Sequence, residues 1–306
     1  MRTGIISSST LCLPLLHYLH SQQEAICVFS AEQIIQNTGA VFSFCSGAGI
    51  SYTHENSGQS INDWVAVQQP DIVFVIGYGR KIVTAGMPEL FNVHFGHLPQ
   101  FRGADPVFWQ LKKGVQTLAI CIHGINERYD AGAVVWKKEY GNEPFFSYGY
   151  VHQLMSHYLV EGVNYLLQLK KKCYPINRVA QDEQLAAYYS RPAMADVCIQ
   201  WNSMRMAEIC DLIKACNPWS GGAITTYNGF EIRVSDAEPF DYAQDPVHRV
   251  DSQPAGTILD TNKGLLVLCI NNEILTIHTL TVNGILMPAR FAANYGFVQG
   301  QSFKNI

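Results

Sequence analysis

The sequence predicts an α/β protein: a doubly wound domain with a mainly parallel sheet, followed by a smaller β-rich domain. Three observations carry this prediction. Short apolar strands alternate with helical stretches through the first half of the chain. Residues 71–77, DIVFVIG, form a nearly continuous apolar run, as in a strand buried on both faces of a parallel sheet. Beyond about residue 220 the period changes, and AITTY and FEIRV flank Asn228-Gly229, a strong hairpin signal.

The elements follow in order. Residues 2–7 read as a strand, Ser7 to Ser9 as a turn, and Leu11 to His20 as a helix. Residues 25–29 and 40–46 read as further strands. Residues 60–69 read as a helix, because Ser60 suits an N-cap and Ile61, Trp64 and Val65 share a face. Residues 118–123, LAICIH, make another strand. Residues 151–169 repeat apolar side chains at helical spacing, and a long amphipathic helix is expected there. Residues 172–200 are irregular, with Pro175 and Pro192, and read as a linker. A helix over 203–216 then precedes the antiparallel strands, including GTILD, LLVLCI and ILTIHTLTV, which suggest a small barrel or sheet.

Composition narrows the function. With 306 residues, 48% hydrophobic and 15% charged, the chain is globular and long enough for two domains. A formal net charge of −4 argues against a nucleic-acid partner. The dense basic run Lys170-Lys171-Lys172 ends a helical stretch, where cations suit the dipole. Nine scattered cysteines without a CxxC pair fit buried thiols in a reducing compartment, so a cytoplasmic protein is expected. The apolar N-terminus is broken by Ser7 to Ser9 and Pro14, too short a run to span a bilayer, and no membrane partner is expected.

Residues 91–109, FNVHFGHLPQFRGADPVFW, concentrate the chemistry. His94 and His97 lie three apart with Asp105 near, but Gly96, Pro99, Gly103 and Pro106 argue against a helix that would align them. No third ligand stands at a metal-site spacing, so no metal is expected. Gly77-Tyr78-Gly79 and Gly47-Ala48-Gly49 begin dinucleotide-type loops, but Ile82 and Tyr52 occupy the third glycine position. Asn92 and His94, two apart, point the same way on a strand. An amide donor beside an imidazole can hold a developing oxyanion and manage a proton. Asp130, closing the loop after the next predicted strand, supplies a carboxylate to orient the imidazole. Together these read as a site for acyl transfer.

Here the chain resembles the 10-formyltetrahydrofolate-dependent formyltransferases. That family carries a pattern close to N-x-H-x-S-x-L-P-x-x-R-G, followed about thirty-six residues after the histidine by D-x-G. This sequence has Asn92, His94, Leu98, Pro99, Arg102 and Gly103, then Asp130-Ala131-Gly132. Residues 190–229 are similar to the start of the C-terminal domain of methionyl-tRNA and amino-arabinose formyltransferases. The resemblance is firmest over 71–135 and 199–232. Departures are Phe95-Gly96 in place of Pro-Ser, and His97 in place of a leucine.

The resemblance implies a Rossmann-like formyltransferase domain over 1–190, with a linker at about 172–200, and an OB-like domain over 201–306. It implies that Asn92 and His94 stabilise a tetrahedral oxyanion while Asp130 holds His94 and relays a proton. The segment Tyr78, Gly79, Arg80, Lys81 and Ile82 matches the family's pterin-binding backbone, and Asn126, Glu127, Arg128 and Tyr129 match the loop on its other side. Gly96, His97, Leu98, Pro99, Arg102 and Gly103 match the loop shaping the acceptor pocket. His97 fits no family role and reads as a loop cap, with the acceptor amine as its other possible partner. His123 ends a strand beside the pocket and is assigned no role.

The donor implied is 10-formyltetrahydrofolate, leaving as tetrahydrofolate, and the partner is a small-molecule amine. Methionyl-tRNA formyltransferases carry a basic insertion after the second strand, whereas residues 29–51 here contain no Lys or Arg. Amino-sugar nucleotides are therefore the expected acceptors. An aminoacyl group on a carrier protein or Met-tRNA is an alternative. Formyltetrahydrofolate hydrolases lack the C-terminal region present here, which ranks hydrolysis behind transfer. A folate-binding sensor would need no Asn92, His94 and Asp130 together.

Overall fold

The structure is a computed structural model describing residues 1–31, 39–55, 58, 60–83, 86–241, 253–262 and 264–306. The chain forms two compact units. One comprises 1–106, 117–141 and 152–189, and the other 107–116, 142–151 and 190–306.

Its elements begin with β1 (Arg2–Ser7), α1 (Leu13–Ser21), β2 (Ala25–Ser30), α2 (Ala40–Ala48), β3 (Ser51–His54), α3 (Ile61–Gln68), β4 (Ile72–Ile76) and β5 (Glu89–His94). The short β6 (Arg102–Gly103), α4 (Pro106–Lys112), β7 (Thr117–Gly124), β8 (Val134–Gly141), α5 (Tyr148–Lys171) and β9 (Tyr188–Tyr189) follow. The main sheet of the first unit has the order β3-β2-β1-β4-β5-β7-β8. The pairings from β3 to β5 are parallel, and β5–β7 and β7–β8 are antiparallel. Every residue of β4 is buried, as its continuous apolar run demands. Ser60 caps α3 in a reciprocal box with Asp63, and Trp64 enters the core beside Ile6, Phe29 and Val73.

One local expectation gives way. Residues 40–46 are helical, in α2, and not a strand. The alternation in VFSFC imitates period two, but the buried pair is Val41 and Cys45, four apart on one helical face. The linker 172–200 contains β9, which pairs with β6 in parallel. The strand β8 is too polar, with Lys137, Lys138 and Glu139, to announce itself as part of the sheet. Part of the Lys- and Arg-free stretch 29–51, residues 32–38, lies outside the described residues.

In the second unit α6 (Met206–Cys216) precedes β10 (Ala223–Tyr227), β11 (Phe230–Pro239), β12 (Ile258–Asp260), β13 (Leu265–Leu268), β14 (Ile274–Val282) and β15 (Ile285–Pro288). The order is β10-β11-β14-β13-β12, with β15 also on β14, and all the pairings are antiparallel. Residues 302 and 304 bridge to Thr257 and Thr226, beside the two outer strands. The sheet thus curls into a small OB-like barrel. Among the described residues no helix is long and apolar enough to cross a membrane.

Candidate active site

The parallel pairing of β4 and β5 brings their C-terminal ends to one edge of the sheet. Ligands collect at such edges. Asn92 and His94, alternate residues of β5, face the same side, where Asp130 meets them. The Asp130 Oδ1 lies 3.5 Å from His94 Nδ1 and 3.3 Å from Asn92 Nδ2. The Asp130 Oδ2 accepts the Gly103 backbone N–H at 2.8 Å.

A fourth member is His123, to which the sequence reading assigned no role. The antiparallel β5–β7 register sets His123 opposite Asn92. Its Nε2 lies 3.1 Å from Asn92 Nδ2 and 3.4 Å from Asp130 Oδ1, while Nδ1 donates to the Gly124 carbonyl at 2.8 Å. That bond makes Nδ1 a donor and leaves Nε2 facing both the Asn92 amide and the Asp130 carboxylate.

The cluster is nearly closed to solvent, with side-chain exposures of 5% for His94, 3% for His123 and 13% for Asp130. Burial drives the His94 pKa down, and the Asp130 charge does not fully offset it. Burial works to raise Asp130, but His94, His123 and the Gly103 N–H overcome it, holding the carboxyl well below the usual carboxylate range. His94 Nε2 donates to the Phe101 carbonyl at 2.6 Å. Nδ1 is thereby left facing the carboxylate at 3.5 Å, where a proton between them would be shared by ring and carboxyl. Chemically this is a proton relay with an adjacent amide donor.

The loop after β5 is held by the chain itself. His97 Nε2 pairs with Glu139 Oε1 at 3.0 Å, and Nδ1 lies 2.8 Å from Gln100 Oε1. Leu98 is buried, and the Leu98–Pro99 bond is cis. Arg102 is fully buried, donating to Glu183, Gln181 Oε1 and the Tyr188 hydroxyl. Gly96 is in close contact with Pro106 and the His94 ring.

The segment 78–82 follows β4. Ile82 is buried in the core with Phe29 and Trp64. The Tyr78 hydroxyl donates to Glu55 at 2.9 Å, and burial, reinforced by Glu55, raises its pKa to about 12. Arg80 also pairs with Glu55, at 2.8 Å, and Gly79 and Lys81 are exposed. A cleft of about 250 Å³ is lined by Tyr78, Lys81, Ile82, Glu55 and the start of α3, and Asn92, His94 and Asp130 are not in its lining. In the second loop, Asn126 Oδ1 accepts the Arg128 N–H, Arg128 pairs with Glu183, and Glu127 and Tyr129 are exposed. Among the described residues no group of three or more His, Cys, Asp or Glu is arranged to hold a metal ion.

Sequence reasoning missed Gln181, Glu183 and Tyr188, which brace both loops from the segment taken as a linker. Their residue types carry no local signal, because their partners lie between 49 and 86 positions away.

Comparison with known proteins adds to this geometry. Residues 16–142 match the formyl transferase domain family and residues 193–295 the formyl transferase C-terminal domain family. Methionyl-tRNA formyltransferase of Clostridioides difficile is 25% identical over 219 residues, 70% of this chain and 67% of that protein. The enzyme of the same name from Syntrophomonas wolfei is 28% identical over 174 residues, about half the length of each protein (54%). An N-formyltransferase from Helicobacter canadensis, solved with folinic acid and dTDP-3-aminofucose, superposes with a TM-score of 0.68 at 11% identity, covering 90% of this chain and 98% of that one. HypX from Aquifex aeolicus, in complex with tetrahydrofolic acid, gives 0.65 at 16% identity, covering 95% of this chain and 46% of that one. At these identities the structural likeness concerns the fold.

Proposed function

The chain belongs to the formyltransferase family, and on that premise we propose that it moves a formyl group from 10-formyltetrahydrofolate to the primary amine of a small acceptor, an amino-sugar nucleotide by preference. The observation that carries this reading is the convergence of Asn92, His94 and His123 on the Asp130 carboxylate at 3.3 to 3.5 Å. The chemistry belongs to the first unit, and the segments 78–82 and 126–129 take the folate between them.

The acceptor nitrogen attacks the formyl carbon, and the carbonyl oxygen becomes an oxyanion. Asn92 Nδ2 is its donor, exchanging the hydrogen it gives Asp130 at 3.3 Å, whereas His94, expected to share that role, has Nε2 bonded to the Phe101 carbonyl and Nδ1 facing Asp130. His94 Nδ1 and Asp130 Oδ1 share the proton that leaves the amine. The bond between the formyl carbon and folate N10 then breaks, and the proton passes to N10. Losing one oxyanion donor typically costs about 3–4 kcal/mol, or roughly a hundred- to thousand-fold in rate.

Support for a small acceptor comes from the absence of Lys and Arg in 29–51 and the net charge of −4, and from the neighbour solved with dTDP-3-aminofucose. A second reading, formylation of an aminoacyl-tRNA, is favoured by the two methionyl-tRNA formyltransferase relatives. The discriminating experiment measures tetrahydrofolate release from 10-formyltetrahydrofolate with amino-sugar nucleotides, an aminoacyl carrier protein and Met-tRNA in turn. Release only with Met-tRNA would overturn the acceptor assignment, and release without any amine would make the protein a hydrolase. Asn92→Ala, His94→Ala and Asp130→Ala should each give a folded protein with turnover down a hundredfold or more. Near-normal turnover in any of them removes that residue from the mechanism.

A further inference from the structure

Asp130 is the centre of the cluster, yet its own backbone is in a costly conformation, with φ at +52°. Such a conformation persists only where the surroundings over-determine it. What surrounds it is Gln181. The Gln181 Nε2 donates to the Asp130 carbonyl at 2.8 Å and to the Gly132 carbonyl at 2.7 Å. Both amide hydrogens are thereby spent on the turn that carries the carboxylate. The Gln181 Oε1 accepts from Arg102 Nε at 2.9 Å. The amide cannot be flipped: the reverse orientation would set oxygen against two carbonyls and nitrogen against a guanidinium N–H.

The other end of this link matters equally. Arg102 is fully buried, and its guanidinium forks onto Glu183 at 2.9 and 3.2 Å. The next residue, Gly103, donates its N–H to Asp130 Oδ2. Gln181 therefore joins the two pieces of chain that meet at the carboxylate, the turn that bears it and the strand that hydrogen-bonds it.

We propose that Gln181 is a positioning residue for Asp130, its side-chain amide fixing the carboxylate at the distance from His94 that proton relay needs. This rests on the reading of Asp130 as the relay. The segment 181–189 is then a strap of the active site. A misplacement of the order of 1 Å in such a group costs on the order of a hundredfold in rate.

Gln181→Glu and Gln181→Ala in the full chain make the test. Glutamate keeps the shape and the acceptor for Arg102 but cannot donate to two carbonyls. Both variants should lose ten- to a hundredfold in kcat, with KM for donor and acceptor within about threefold of the parent and folinic acid still bound in calorimetry. A Gln181→Glu protein with parental kcat would show that Gln181 serves Arg102 alone and would overturn the proposal. Loss of folinic acid binding together with turnover would overturn it too, by assigning Gln181 to the pocket as a whole. Asp130→Asn is measured alongside. If it keeps parental kcat, the relay reading fails, and the proposal with it. If Asp130→Asn is inactive and Gln181→Glu is not, only the positioning role fails.

Discussion

Gly96 stands where the formyltransferase pattern has a serine, and its surroundings leave little room for a side chain. A Cβ at this position would lie 2.5 Å from Pro106 Cβ and 2.9 Å from His94 Nε2. Relieving both contacts requires the loop backbone to shift between Pro106 and the His94 imidazole, which disturbs the 2.6 Å bond to the Phe101 carbonyl. Gly96→Ala should cut kcat on the order of ten- to a hundredfold while binding folinic acid normally. A variant with parental kcat would show that His94 has room to move. The spacing of Asn92 and His94 was legible from the alternation of a strand, and Asp130 from its place in the following loop. His123 was placed beside the pocket, but its contacts with Asn92 and Asp130 were not legible, because they depend on the antiparallel β5–β7 register in a sheet expected to be mainly parallel. Gln181 was less legible still: a glutamine in an irregular segment becomes informative only when its partners at 130, 132 and 102 are brought to it.

At the scale of elements, long or fully buried segments could be read and short or polar ones could not. The run in β4, the capping box of α3 and the apolar stripe of α5 each carry several agreeing signals. α2 spans nine residues with two buried positions, too few to separate period two from 3.6. β8 has exposed Lys137 and Glu139 on its outer face and follows the polar loop of Asp130, so its pairing with β7 decided its state. The packing of α5 on β7 and β8 turns on Gly162. A Cβ there would lie 2.5 Å from Trp136 Cε3 and 2.8 Å from Ile122 Cδ1. Two effects of Gly162→Ala oppose each other. Alanine favours a helix interior by about 1 kcal/mol over glycine. Overpacking a rigid indole costs about 1–3 kcal/mol. The second should win, so Gly162→Ala should lower stability by about 0–2 kcal/mol in urea unfolding followed by far-UV circular dichroism. A stabilised variant would show that Trp136 can swing clear.

For the molecule as a whole, the fold of the second unit depends on residues 301–304 closing the ring of strands. An open antiparallel sheet presents two unpaired edges, a hazard for association. Here Thr226 and Lys304 exchange backbone bonds at 2.8 and 3.1 Å on the β10 side, and Ile258 donates to Gln301 at 2.8 Å on the β12 side. Side chains reinforce the closure. Phe303 is buried and stacks on Trp201 with ring centroids 5.7 Å apart, and Asn305 Oδ1 accepts the Trp201 N–H at 2.8 Å. Residues 301–305 therefore bridge both edges and add a side chain to the core. Removing residues 301–306 should speed amide hydrogen exchange in peptides covering 223–227 and 256–260. Peptides over β4, buried in the other unit's sheet, serve as the control. The truncated chain should also associate in size-exclusion chromatography as its edges open. Phe303→Ala isolates the packing contribution, with an expected cost of about 3–5 kcal/mol and intact backbone pairing at Thr226. If truncation leaves exchange at both edges unchanged, β10 and β12 are held by something other than this segment, and the barrel is closed without it.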